Sequence, residues 1–194
     1  MHISEGKKIT IHYCSFGPCT EKEFQMSDIT ISLFYLSKEI IDREKEWYPK
    51  NHFKNMGYEN EGYIIEAKIK AVVKQKVKYI EKEYFENIYE EFDKIDFKKL
   101  AIEGDDGCDG GKTEVEMGVY NGFNQYIKKV SLWCPHVYDN ETQSDLFKFL
   151  NLIKKIKNEI NFDEWYNNLY TEWQKWENKI EKYNKLFQYN NKNM

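Results

Sequence analysis

The amino-acid sequence predicts an α+β fold in which an antiparallel sheet of about five strands packs against amphipathic helices, the last of them long and aromatic. In the first two thirds of the chain, apolar and polar residues alternate in short runs, as they do in half-buried strands. Elsewhere the apolar residues recur every three or four positions, as they do on one face of a helix. The switch between these two periods defines the predicted elements.

Five runs have the alternation of a strand, namely residues 8–14, 29–35, 63–73, 113–117 and 126–133. A Gly-Pro turn separates the first two runs, and an Asn-Gly pair predicts a hairpin between the last two. In the third run Ile65 and Ala67 alternate with Glu66 and Lys68. The lysines of this run are expected to form a solvated face.

Helical spacing predicts amphipathic helices at 81–95, 142–159 and 162–188, and residues 38–47 suit a short polar helix. The segment Asp96–Leu100 is expected to end the first amphipathic helix. We expect residues 1–160 to form one α+β domain, with residues 161–194 packed on it as a helix and tail.

The C-terminal helix has the most regular pattern in the chain. Its apolar residues step by four and three positions, and they are Phe162, Tyr166, Leu169, Trp173, Trp176, Ile180, Tyr183 and Phe187. This stripe either packs in the core or forms an interface, since Trp and Tyr anchor many protein interfaces. The interface candidates, which include two aromatic residues beside the stripe, are Trp165, Tyr170, Trp176, Tyr183 and Phe187.

Composition excludes several classes of function. With 41% hydrophobic residues in 194, the chain can bury a core without metals or disulfides. A net charge of −4 and a single arginine, Arg43, argue against a nucleic-acid partner, which needs a dense cationic face. No apolar run approaches the roughly 18–20 residues of a membrane span, and the first residues do not resemble a secretory signal. We expect a cytoplasmic protein with free thiols and no membrane partner.

The cysteines and one histidine offer a zinc hypothesis. Cys14 and Cys19 bracket a turn, while Cys134 and His136 follow another strand, so two adjoining turns would supply four zinc ligands. The C-x4-C and C-x-H spacings are unusual for zinc. A disulfide between Cys14 and Cys19 is a second interpretation, and small buried or turn-lining thiols are the interpretation that we prefer.

The acidic glycine-rich segment offers a calcium hypothesis. Asp105, Asp109, Gly110 and Glu116 match positions one, five, six and twelve of a calcium-binding loop. Position three is Gly107, however, and the residues around Glu116 have strand alternation where a calcium loop continues into a helix. An acidic solvated approach to a hairpin is the preferred interpretation, and we expect no metal and no cofactor.

Catalytic motifs are missing from the sequence. It contains no G-x-S-x-G, no H-E-x-x-H, no phosphate-binding loop and no dinucleotide-binding glycine run. Asp and Glu are numerous, so an unmarked carboxylate or histidine site stays an alternative. Asp109 and His136 would be the candidates to lie at the floor of such a cleft.

Three landmarks follow one another along the chain: Cys14-Ser15-Phe16-Gly17-Pro18-Cys19, Ile95-Asp96-Phe97 with Leu100, and Asp109-Gly110 with Val115-Glu116 before Trp133-Cys134-Pro135. In this order, over about residues 7–160, they resemble small bacterial domains of unknown function that open with a C-F-G-x-C-P turn. Ser15 is an extra residue in that turn, and Thr20 stands where the family has proline. The resemblance implies an α+β fold and no functional residue that could be transferred.

An acidic chain without a recognisable cofactor or catalytic site is typical of binding proteins. We therefore expect a bacterial interaction protein, by analogy immunity- or antitoxin-like, with another protein as partner and a basic partner as one option. A homodimer through the C-terminal helix is a further arrangement. The alternatives are an enzyme with an unmarked site and an exported structural or metal-binding domain.

Overall fold

A computed structural model describes residues 6–15, 29–47, 57–69, 74–103, 111–120, 124–133 and 145–192. The strands are β1 (Gly6–Ser15), β2 (Ile29–Leu36), β3 (Gly62–Ile69), β4 (Lys74–Ile80), β5 (Gly111–Tyr120) and β6 (Asn124–Trp133). The helices are α1 (Lys38–Trp47), α2 (Lys82–Asp93), α3 (Phe97–Glu103), α4 (Asp145–Glu159) and α5 (Phe162–Lys192).

The strands form one six-stranded sheet in the order β4-β3-β2-β1-β5-β6, and every pairing is antiparallel. The predicted α+β class and antiparallel sheet are confirmed. The sheet has six strands, however, one more than predicted.

The predicted strand over residues 63–73 is confirmed for residues 63–69. Strand β3 ends at Ile69, residues 70–73 lie outside the described part, and β4 is an additional strand. The sequence of β4, K-Q-K-V-K-Y-I, has three lysines in seven residues and shows little alternation of apolar and polar residues. Such lysines are common on edge strands, because their charge opposes pairing with other chains. The apolar pattern therefore gave no strand signal here.

The predicted helices are confirmed, with small changes at their ends. Helix α2 lies within the predicted 81–95, and α5 continues to Lys192. The segment Asp96–Leu100 does not simply end α2, because Phe97 begins α3. Oδ1 of Asp96 accepts hydrogen bonds from the backbone N–H groups of Lys98 and Lys99 at 3.0 and 3.3 Å, which caps this short helix.

One face of the sheet forms the main core. Adjacent strands present Ile9, Ile11, Ile31, Leu33, Ile65, Ala67, Val115, Met117, Val130 and Leu132 on this face, all of them buried. Helix α2 covers it, with the ring of Phe85 4.9 Å from that of Tyr63. Phe92 of α2 meets Phe149 of α4 edge-on at 5.9 Å. The two helices and the sheet thus share one apolar layer.

The opposite face of the sheet is only partly apolar. At one end, Phe34 and Ile64 pack with Ile40 and Ile41 of α1, and Tyr58 joins this cluster. The Oγ of Ser37 accepts a hydrogen bond from the backbone N–H of Ile40 at 3.3 Å, at the first turn of α1. Away from this cluster, the central strands of the sheet carry polar side chains on the same face.

The chain divides into two compact units, Met1–Ile156 and Lys157–Met194, with the boundary inside α4. In the second unit, the ring of Phe162 stacks on that of Tyr166 at 5.8 Å, and Lys157 pairs with Asp163 at 2.7 Å. The packing of residues 161–194 on the preceding domain stays a prediction. Among the helices described, none has both the length and the apolar composition needed to cross a membrane.

Candidate functional site

Most residues of the zinc and calcium hypotheses lie outside the described part of the chain. For zinc, this applies to Cys19, Cys134 and His136, whereas Cys14 lies in β1 opposite Lys112 with its side chain not described. For calcium, it applies to Asp105, Asp109 and Gly110. Both hypotheses, and the preference against them, stay predictions.

Glu116 is the member of these sets whose side chain is described. It lies in the middle of β5, and its Oε1 accepts a hydrogen bond from Nζ of Lys129 at 2.9 Å. The same Nζ lies 2.6 Å from Oε1 of Glu114, and these two bonds raise the pKa of Lys129. Within the described ranges, no three His, Cys, Asp or Glu side chains are grouped so that they could hold a metal ion.

A row of polar residues crosses the sheet on the face opposite the main core. We call it the polar row: Glu66, Ser32, Thr10, Glu116 and Lys129, which lie side by side on β3, β2, β1, β5 and β6. Thr10 and Ser32 are buried, and their hydroxyl oxygens are 3.4 Å apart. Because successive strand residues alternate between the two faces, these side chains lie on the other face of the sheet from Ile9 and Ile11.

Glu66 is the most buried charged residue of the polar row, with 5% of its surface exposed. Its Oε2 lies 2.8 Å from Nζ of Lys68, whereas its Oε1 has no hydrogen-bond partner among the described residues. Burial raises the pKa of this carboxyl group, and the charge of Lys68 opposes that effect. The neighbours of Glu66 in the sheet therefore remove it from water, which the alternation of its strand did not indicate.

Lys8 lies on the same face, and its Nζ is 5.4 Å from the centre of the Phe34 ring. Burial lowers its pKa, while the charge of Glu66 raises it and that of Lys68 lowers it further. Burial thus raises the pKa of the Glu66 carboxyl group and lowers that of the Lys8 ammonium group, so the two pKa values lie closer together than in water. Of the residues described, Lys8 and Glu66 are therefore the best support for the alternative of an unmarked carboxylate site.

Sequence reasoning missed this polar face because its members are far apart in the chain. Thr10, Ser32 and Glu66 become neighbours only through the register of β1, β2 and β3. The available signal was the position of each polar residue in the centre of its strand, between two apolar neighbours.

The interface candidates on α5 differ in exposure. Trp176 is 60% exposed and Ile180, one turn further on, is 37% exposed. The hydroxyl of Tyr170 accepts a hydrogen bond from Nε2 of Gln174 at 2.7 Å, and the ring of Trp165 lies 5.9 Å from that of Phe162. Two further candidates, in the last turns of α5, have side chains outside the described set: Tyr183 and Phe187.

Comparison with known proteins found no match: no family model, no curated protein and no solved structure is significantly similar to this chain. The resemblance to the small bacterial domains with the C-F-G-x-C-P turn therefore stays a prediction. The function has to be argued from the residues themselves.

Proposed function

We propose that this chain is an interaction protein and that α5 pairs with α5 of a second copy. The observation that carries the proposal is the exposure of Trp176 and Ile180 at 60% and 37%, on a stripe that runs along the whole helix. Large apolar side chains exposed together are typical of protein-interaction surfaces.

The spacing of the stripe is that of a coiled coil. Steps of four and three residues repeat from Phe162 to Phe187, so the stripe occupies the a and d positions of successive heptads. Tyr166, Trp173, Ile180 and Phe187 are at a, and Phe162, Leu169, Trp176 and Tyr183 are at d. We call this line of a and d side chains the seam. A helix with such a seam can pack against a second helix that has the same spacing.

The positions of the stripe are symmetric about the point between Gln174 and Lys175. In an antiparallel pair centred there, each a position faces a d position, and the facing pairs are 166 with 183, 169 with 180, and 173 with 176. Position 162, which would face position 187, is already buried within the chain. The seams of two antiparallel copies therefore match each other without any shift along the helix axis.

Charge supports the same arrangement. Helix α5 has five acidic and five basic residues, so two copies do not repel each other by net charge. Beside the seam, an antiparallel pair places Glu172 near Lys179 of the second copy. A parallel pair would place Glu172 near Glu177 of the second copy, and like charges there are unfavourable.

Sedimentation equilibrium tests this proposal. The native chain should be a dimer, and Trp176→Glu or Ile180→Glu should convert it to a monomer, because a charge in the seam loses its water without gaining a partner. Asn178→Glu, on the exposed side of the same turn, is the matched control and should leave the dimer intact. A native chain that is monomeric at about 100 µM would refute the pairing, since specific homodimers are commonly tighter than that.

Charge reversal distinguishes α5 pairing from other contacts. Glu172→Lys or Lys179→Glu alone should weaken the dimer, and the two together should restore it, because the two charges face each other across the seam. Additive weakening in the double variant would exclude the antiparallel register.

The acidic surface of α2 favours a second candidate function, the immunity- or antitoxin-like neutralisation of a basic protein. This helix has five acidic residues and one lysine, and Glu83 and Glu90 are exposed on it. Such a surface speeds association with a basic partner. A partner identified by co-purification should be basic, and Glu83→Lys with Glu90→Lys should abolish its binding. Glu164→Lys on α5 is the control and should not affect it.

A further inference from the structure

We propose that the groove between α2 and α4 binds a small anionic amphiphile, a molecule with an aromatic or short aliphatic body and one carboxylate, sulfonate or phosphate group. The groove has a volume of about 470 Å³, within the range of roughly 300–1,000 Å³ that is usual for small-molecule sites. All of its lining residues belong to the first unit.

The floor of the groove is apolar. Ile95, just after α2, and Leu152 of α4 are each 4% exposed, and the half-buried ring of Phe147 lies beside them. A ligand body placed on these side chains would be removed from water, which is the main favourable contribution to binding at such a site.

The rim of the groove is cationic, although the whole chain has a net charge of −4. Three lysines line it, Lys94, Lys148 and Lys155, against one carboxylate, Glu91. Lys155 is 3.7 Å from Glu91, and Lys148 is 3.2 Å from Asp145. Lys94 makes no ion pair within the described ranges. An anion at this rim would therefore meet one ammonium group that is not already paired with a described carboxylate, since Glu91 is paired with Lys155.

Three contacts join the helices that form the walls of the groove. Phe92 and Phe149 pack edge-on between the two helices at 5.9 Å. The hydroxyl of Tyr84 donates a hydrogen bond to the backbone carbonyl of Lys155 at 3.5 Å, and Nζ of Lys155 lies 6.0 Å from the centre of the same ring. A preformed site does not have to be ordered when the ligand arrives, which favours binding.

The combination of floor and rim selects the ligand class. An inorganic anion would leave the apolar floor in water, and a neutral apolar molecule would remove water from the lysines without offering them a charge. Both parts of the groove are satisfied only by a molecule with an apolar body and an anionic end.

Fluorescence titration with 8-anilinonaphthalene-1-sulfonate tests the proposal, with N-phenyl-1-naphthylamine as its uncharged analogue. The sulfonate should bind the folded chain, and Lys94→Glu should weaken it by about tenfold, the order expected for reversing one charge at a protein surface. Lys154→Glu, the same change on α4 but away from the groove, is the matched control and should have no effect. The uncharged analogue should be insensitive to both changes.

A second variant blocks the groove without changing its charge. Asn151→Trp should fill the groove and abolish binding, with circular dichroism showing that the chain stays folded. Trp176→Glu should leave the titration unchanged, which separates the groove from the exposed stripe of α5. The proposal is overturned if binding survives Asn151→Trp, if it is lost with Trp176→Glu, or if the native chain binds the sulfonate more weakly than about 200 µM.

Discussion

Lys68 and Glu66 lie two residues apart on the same face of β3, and Nζ of Lys68 is 2.8 Å from Oε2 of Glu66. Lys68 is one third exposed at its side chain, whereas Glu66 is nearly fully buried. The lysine therefore brings a partly solvated charge to a carboxylate that has lost its water. Because burying an unpaired charge is costly, this contact determines how the sheet tolerates a charge at Glu66.

The first prediction concerns the pH dependence of stability. The pKa of Glu66 is raised above its ordinary value of 4.5, so the folded chain binds this proton more tightly than the unfolded chain. The contribution of Glu66 to stability is fully present below about pH 4.5 and is lost as the pH rises through the raised pKa. Glu66→Gln should remove this dependence and increase the free energy of unfolding at pH 8 by about 1–3 kcal/mol.

Urea unfolding between pH 4 and pH 8 measures this effect. Glu83→Gln, on the exposed surface of α2, is the control and should have a much smaller effect on the free energy of unfolding. If Glu66→Gln destabilises the protein at pH 8, the ion pair with Lys68 contributes more than the burial of Glu66 costs, and our account of this residue is wrong.

The second prediction concerns the partner of Glu66. Lys68→Met leaves the carboxylate buried without its cation and should lower the free energy of unfolding at pH 8 by about 1–3 kcal/mol. The loss should be smaller at pH 5, where Glu66 is closer to its neutral form. In the Glu66→Gln background the same change should have little effect, because the charge is gone. Lys74→Met, on the exposed start of β4, is the control.

The sequence predicted the elements whose apolar pattern is strong and missed those that depend on tertiary context. The alternation of Ile9 and Ile11, and the stripe of Phe85, Ile88 and Phe92, each result from burial against one layer, so a local pattern was sufficient. Strand β4 was missed because an edge strand with one exposed face needs few apolar residues.

The candidate sites were less predictable than the fold. The residues next to Glu66 in sequence form a normal strand pattern, whereas its burial depends on the register with Ser32 and Thr10. The groove depends on the packing of α2 beside α4, which periodicity does not specify. The stripe of α5 was found because its heptad spacing lies within one continuous segment.

The third prediction tests the core between the sheet and its helices. Phe92→Ala should lower the free energy of unfolding by about 3–5 kcal/mol, because it leaves a cavity beside Phe149 in addition to the lost burial. Val119→Ala removes a side chain that is 44% exposed and should cost much less. Equal losses in the two variants, measured by urea unfolding, would mean that α2 and α4 do not share an apolar layer with the sheet.

The antiparallel pairing of α5 is the central claim, and the distance between two spin labels in the dimer tests it most directly. A label introduced as an unnatural amino acid at Gln188 would lie opposite position 161 of the second copy, so the two labels should be about 40 Å apart at roughly 1.5 Å per residue. Double electron–electron resonance measures this distance. A separation below about 20 Å would indicate a parallel pair, whose neighbouring helix axes are only about 10 Å apart, and the absence of any dipolar coupling would show that α5 does not pair; either result would contradict the account.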